Sequence, residues 1–206
     1  MKNNNLLGLI SVSLYASFQI ISNVLSTKIT YLPILNLAMD GGTVIYPITF
    51  TLRDFIHKTC GKKNARLIVI VSGVISLLAF LAFWLVGKMN PDPSWAFQKD
   101  YENVLTPVFR ITMASVIAQV ISELIDTEIF SLVYKKMNDI LGVFFSNFVS
   151  LIFDSVIFSM IAFWGSLPMG TVIGIIFSNI IIKLVISILS TPTIRLVPRT
   201  VSFDEI

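Results

Sequence analysis

Apolar runs broken by a thin thread of polar positions fill this chain from Leu6 to Leu189. A bilayer core about 30 Å thick takes about 20 residues of helix to cross. Six such spans can be drawn: Leu6 to Ser26, Thr43 to His57, Leu67 to Gly87, Pro107 to Tyr134, Ile140 to Trp164 and Gly170 to Leu189. The second is short and polar for a spanning helix, so it is expected to be tilted or partly re-entrant. The link from Thr27 to Gly42, with Pro33 and the Gly41-Gly42 pair, is predicted to lie along the interface or dip into the protein. The stretch from Lys88 to Thr106 carries Pro91, Pro93, Trp95 and Tyr101, the signature of a turn with interfacial aromatic anchors rather than ligand contacts.

The polar thread is periodic. In the fourth span Thr112, Ser115, Gln119, Glu123 and Asp126 recur three or four apart, which puts them on one helical face. Asn147, Ser150 and Asp154 do the same in the fifth span, Asn179, Lys183 and Ser187 in the sixth, and Tyr15, Gln19, Asn23 and Ser26 in the first. Lipid cannot solvate such seams, so they are expected to converge on a common interior, joined by Arg53 and Asp54 from the second span. Hydroxyls and amides also serve as plain interhelical glue, worth only about 0.6 kcal/mol on average. That reading suits Thr112, Ser115, Ser150 and Ser187. It suits Asp126, Asp154 and Lys183 less, because an ionisable group inside the bilayer costs roughly 2.5 to 3.5 kcal/mol on insertion scales.

Two of these seams share a motif. Ser122-Glu-Leu-Ile-Asp126-Thr-Glu-Ile-Phe-Ser131 and Ser150-Leu-Ile-Phe-Asp154-Ser-Val-Ile-Phe-Ser159 both read Ser-x-x-x-Asp-[Ser/Thr]-x-Ile-Phe-Ser. On antiparallel helices the motif is presented in opposite directions, as in an inverted-repeat transporter with its site between the repeats. Arg110, near a helix end, fits either a functional group or a snorkelling side chain. Glu128 points off the polar stripe and reads as solvated.

Composition supports the membrane reading. Hydrophobic residues make up 55%, charged ones 13%, and mean hydropathy is +0.84, whereas a soluble domain carries about 25% charged residues. The fold class expected is therefore an all-α polytopic membrane protein of six transmembrane helices, one transporter domain over residues 1–206. The start, Met1-Lys2-Asn3-Asn4-Asn5, runs into the first apolar segment without a clear cleavage site and is read as a retained helix. Lys2, Lys58, Lys62, Lys63, Arg66, Lys135, Lys136, Arg195 and Arg199 fall on one side of the scheme, against Lys28, Lys88 and Lys99 on the other. Both termini are thus expected to be cytoplasmic, in a cell inner membrane. His57 beside Lys58 and the run Gly61-Lys62-Lys63 read as an inside-positive loop. The net charge of +3 and pI near 9.0 reflect this topology and point to no nucleic-acid partner. One cysteine, Cys60, forbids an internal disulfide, and neither a metal nor a cofactor motif stands in the chain.

The order of motifs resembles the queuosine precursor transporter family, also called the vitamin uptake transporter family. The resemblance runs through Ile21-Ser-Asn23, Tyr46-Pro47-Ile-Thr-Phe50, Arg53-Asp54, Gly61-Lys-Lys-Asn-Ala65-Arg66 and Arg110-Ile-Thr-Met-Ala114-Ser115. It continues through Leu124-Ile-Asp126 with Phe130, Asp154, Ile161-Ala-Phe-Trp-Gly165 and Lys183-Leu-Val-Ile-Ser187. It implies an importer of 7-deazaguanines (7-cyano-7-deazaguanine, its aminomethyl form, or queuine) and a fold similar to energy-coupling-factor substrate-binding subunits. The pattern is broken at Glu123 and Leu151, where the family carries an amide three residues before each aspartate.

The chemistry is compatible with such a ligand. A guanine-like base offers an N1–H and an exocyclic amine side by side, which one carboxylate can accept, and a flat face that stacks on aromatic rings. The expected substrate contacts are Asn23, Asp54, Gln119, Glu123, Asp126, Asn147, Ser150, Asp154 and Lys183. Lys183 is the counter-charge to the acids, and Phe130, Phe158 or Trp164 the stacking ring. Two rival readings stay open. A substrate-capture subunit would need a separate energy-coupling module, for which Ser13-xxx-Ser17 is a weak docking candidate; a second copy of the chain is another partner left open. An intramembrane aspartyl protease would share one proton between Asp126 and Asp154, but neither lies in a Gly-x-Gly-Asp setting.

Overall fold

The computed structural model describes residues 2–33, 35–134 and 139–190. Seven helices and one small hairpin follow in the order α1 (Lys2–Leu25), β1 (Ile29–Leu32), β2 (Leu37–Asp40), a 3₁₀ turn (Gly41–Val44), α2 (Tyr46–Cys60), α3 (Lys62–Gly87), α4 (Gln98–Leu105), α5 (Val108–Tyr134), α6 (Asp139–Phe163) and α7 (Met169–Ser190). Among the described residues, four stretches are long and apolar enough to cross a membrane: Leu6–Leu25, Lys63–Gly87, Gln98–Ser122 across α4 and α5, and Met169–Ile186. A shorter apolar helix, Phe148–Phe163, forms the end of α6.

Burial runs opposite to the habit of a water-soluble bundle. On α1 the side chains of Ser11, Tyr15, Gln19, Ser22 and Asn23 are buried while Leu6, Leu9, Ile10, Leu14 and Ile21 face outwards. On α7, Ser178, Asn179 and Lys183 are inside and Ile173, Phe177, Val185 and Ile188 outside. On α3, Ser72 and Ser76 point in while Leu67, Ile70, Val71 and Val74 point out. Apolar surface costs nothing in a hydrocarbon solvent, whereas polar groups must find partners within the protein.

α5 and α6 form the largest helix–helix interface. Ala114 and Ala118 on α5 are fully buried, and such small side chains let neighbouring backbones approach. The start of α5 is tied to the end of α6 by Arg110, whose guanidinium donates to the Ile161 carbonyl at 2.6 Å, to Ser166 Oγ at 2.7 Å and to the Trp164 carbonyl. These lie at the C-terminal end of α6, where carbonyls lack helical partners and a cation is favoured. Arg110 is therefore a helix-end clamp as well as a residue near the surface.

Two elements add to the expected six helices, a strand pair and a short extra helix. The segment after α1 dips into the protein as a hairpin, with Ile29 opposite Asp40 and Leu32 opposite Leu37. Asn36, at φ 55°, makes the left-handed step of its turn. Strand β2 lies on α7, where Ser178 Oγ donates to the Ala38 carbonyl at 2.7 Å, so the strand edge is satisfied by a side chain. Strands of four residues are too short for a period-2 pattern to declare them. The second is α4, inside the loop expected to be a plain turn. None of its residues is buried, and it lies along the end of α3 through Tyr101, whose hydroxyl donates to the Phe83 carbonyl at 3.3 Å. Trp95 packs edge-on to Phe97 and Tyr101, in keeping with an interfacial cluster. α2 is 15 residues long, about 22 Å, shorter than a full bilayer crossing. It turns directly into α3 at Gly61, whose φ of 83° favours glycine.

The hairpin reaches α1 through two glycines. A Cβ on Gly41 would stand 2.5 Å from the Leu25 carbonyl oxygen, and one on Gly42 would stand 2.1 Å from Ser26 Oγ and 2.5 Å from the Ser22 carbonyl oxygen. Backbone cannot yield as a side-chain tip can. Gly42→Ala is expected to lower stability by about 1–3 kcal/mol, read as a fall in the thermal unfolding midpoint in detergent. Gly170→Ala, which meets nothing within 4 Å, is expected to leave that midpoint unchanged.

Candidate functional site

The hairpin, its 3₁₀ turn and five of the helices meet around a small cavity of about 20 Å³. α1 contributes Ser22, Asn23 and Ser26, the hairpin and its turn Asp40, Gly42 and Thr43, and α2 Tyr46. Ser115 of α5, Phe158 of α6, and Asn179 and Lys183 of α7 complete it. Eight of these residues, Ser22, Asn23, Ser26, Asp40, Thr43, Ser115, Asn179 and Lys183, are below one-twentieth exposed.

Two charged arrangements organise the space. Lys183 Nζ lies 2.6 Å from Asp154 Oδ2, and both side chains are almost completely buried. The ammonium also sits 4.9 Å from the Tyr46 ring centroid and 5.9 Å from that of Phe50, within cation–π range. Ser122 Oγ approaches the other carboxylate oxygen, Oδ1, at 3.5 Å. The second arrangement is centred on Asp40. Ser26 Oγ donates to its Oδ1 at 2.7 Å and Thr43 Oγ1 to its Oδ2 at 2.9 Å. Thr43 Oγ1 also meets the side-chain amide of Asn179 closely. A hydroxyl has one proton, so with that proton on Asp40 the group facing Thr43 must be the amide nitrogen, not the oxygen. The chain Ser26, Asp40, Thr43, Asn179 thereby links α1, the hairpin and α7.

A family described as "Putative vitamin uptake transporter" matches residues 40–197, about three quarters of the chain. The chain belongs to this vitamin uptake transporter family. A relative in Bacillus subtilis (strain 168), the "Probable queuosine precursor transporter", is 26% identical over 170 residues, covering 80% of this chain and 73% of the relative. No solved structure matches. The family and the relative are transporters, not enzymes. Together with the apolar helices, this makes the chain a multi-pass membrane transporter of a small molecule.

Within this vitamin uptake transporter the residues expected from the sequence separate by location. Asn23 and Lys183 line the cavity. Asp154 stands behind Lys183 as its counter-ion rather than on the wall. Gln119 donates through Nε2 to the Tyr15 hydroxyl at 2.7 Å, a tie between α5 and α1, and Gln19 donates to the same oxygen at 3.2 Å. Ser150 is half-buried on α6 and is not among the lining residues. The side chains of Asp54, Glu123, Asp126, Asn147 and Phe130 lie outside those described. Of the expected stacking rings, Phe158 is on the wall, whereas Trp164 is 60% exposed at the far end of α6.

Asp40 is the residue that the sequence pattern missed. It sits beside two glycines in a segment without helical periodicity, where an aspartate reads as turn chemistry. Only the pairing of β1 with β2, which returns the chain to the end of α1, brings it against Ser26.

The ion pair gives a direct test. Lys183→Met leaves the Asp154 carboxylate buried without its cation, and breaking a buried pair from one side costs about 3–5 kcal/mol. The single variant is expected to unfold at markedly lower temperature in detergent. Lys183→Met combined with Asp154→Leu is expected to recover most of the loss, and a double variant no better than the single would refute the coupling.

Proposed function

We propose that this chain imports 7-deazaguanine precursors of queuosine, 7-cyano-7-deazaguanine, its aminomethyl form or queuine, across the cell inner membrane for tRNA modification. The observation that carries the reading is the cavity whose lining brings together the Asp40 carboxylate, the Asn23 and Asn179 amides and the Tyr46 and Phe158 rings, in a member of this transporter family. A deazaguanine needs that pairing, since its edge carries hydrogen-bond donors and acceptors in fixed order and its face is flat and apolar. The name of the Bacillus subtilis relative points to the same substrate class.

In this reading Asn23 and Lys183 contact the base from the cavity wall, and Asp154 holds Lys183 in place. Asp54, Glu123, Asp126 and Asn147 are proposed, on the sequence pattern alone, to extend the polar path towards the cytoplasmic face. Gln119 and Ser150 position α5 and α6. The helices α1, α2, α3, α5, α6 and α7 are proposed as the six spans, the short α2 crossing only in part, with α4 and the loop before it outside. The arrangement is proposed to be similar to that of energy-coupling-factor substrate-binding subunits.

In cells unable to make queuosine, expression of the chain is expected to let low external concentrations of at least one of the three compounds restore modified tRNA, read by altered migration in a boronate gel. Absence of modified tRNA with all three, in cells where the protein reaches the membrane and the later enzymes are present, would remove this substrate class. Topology is checked separately. Asn90 is exposed in the loop between α3 and α4, so in a Cys60→Ser background Asn90→Cys is expected to react with a membrane-impermeant maleimide in intact cells. Labelling only in inverted vesicles would reverse the orientation.

A further inference from the structure

The charges around the cavity do not cancel. Among the described residues that line it, Asp40 is the only acid and Lys183 the only base. The Lys183 charge is already matched, because its ammonium lies 2.6 Å from Asp154. Asp40 is 2% exposed and is held by two neutral hydroxyls, Ser26 and Thr43. Two such donors satisfy about half of the lone-pair positions of a carboxylate. A buried charge without a counter-ion is unfavourable until one arrives. The same cavity lining includes two aromatic rings, Tyr46 and Phe158.

Resting on the proposed 7-deazaguanine function, we infer that Asp40 selects ligands carrying a protonated amine on a flat aromatic base. An alkylammonium brings two or three N–H donors and the missing positive charge to the free lone pairs of Asp40. The base then lies against these rings. Of the three candidate substrates, 7-aminomethyl-7-deazaguanine and queuine carry such an amine, as a primary and a secondary ammonium. The 7-cyano compound does not. Its nitrile is neutral and accepts hydrogen bonds only, so facing Asp40 it sets acceptor against acceptor. The preference is a property of Asp40 rather than of the Lys183–Asp154 pair, whose charges are internally balanced.

The test is equilibrium binding to the purified full chain in lipid nanodiscs, with each of the three compounds and guanine titrated separately by calorimetry. The two amines are expected to bind on the order of tenfold or more tightly than the cyano compound and guanine, the scale of a hydrogen bond to a charged group. Asp40→Asn keeps the shape and removes the charge. It is expected to weaken the amines on the order of tenfold while leaving the cyano compound bound at least as tightly as before, since the amide can donate to the nitrile. Equal binding of amine and cyano forms, or tighter binding of the cyano form, overturns the inference and leaves the deazaguanine reading standing. A uniform loss across all ligands in Asp40→Asn overturns it too, by showing a structural role. If none of the compounds binds or restores tRNA modification, the function itself falls and the inference with it. Should Asp40→Asn not fold, the wild-type ratio of amine to cyano affinity decides alone.

Discussion

Inside a bilayer a polar group can be solvated only by other protein groups, and the rest of this structure follows from that constraint. The Lys183–Asp154 pair is its strongest expression. Two charges, each costly alone in hydrocarbon, share one position in the bundle at 2.6 Å. Because one partner is on α6 and the other on α7, the pair fixes how these helices face each other. The ammonium is also aimed over the rings of Tyr46 and Phe50, so α2 is drawn against the same point. A pair that is expensive as a mere fastener acquires a second use when one member, Lys183, forms part of a cavity wall.

The same constraint explains why a hairpin can lie among helices. Its strands are four residues each and pair with one another, and the Ala38 carbonyl on the outer side of β2 is satisfied by Ser178. Gly174 of α7 gives the strand room, since a Cβ there would stand 3.2 Å from the Ala38 nitrogen. Gly41 and Gly42 do the same on the α1 side. Three glycines on two elements thus let backbone pass backbone. The result places Asp40 at the junction of α1 and α7, where no helical seam alone would put a carboxylate.

What could be read from the sequence follows the length of each element. The helices α1, α3, α5, α6 and α7 declare themselves through 22 or more residues each. The periodic polar stripes of α1 and α7 correctly picked inward faces, as the burial of Gln19, Asn23, Asn179 and Lys183 shows. Periodicity is silent about which stripe meets which: it sets Gln119 on one face with Glu123 and Asp126, whereas the side chain hydrogen-bonds Tyr15 of α1. It is equally silent in short or irregular segments. Asp40, Thr43 and the helix α4 fall there, since four- to eight-residue elements complete too few periods to stand out. Arg110 was legible only as a cation near a helix end, because the acceptors at Ile161, Trp164 and Ser166 come from the next helix and turn.

The repeated Ser-x-x-x-Asp motif gains a physical meaning from the antiparallel packing of α5 against α6. Arg110 of α5 reaches Ser166 in the turn after α6, and about three turns further along α5 Ser122 approaches Asp154 of α6 at 3.5 Å. The serine that opens the first copy thus stands against the aspartate of the second. In the second copy α7 supplies Lys183, which gives Asp154 a full counter-charge and ties the repeat to the cavity wall.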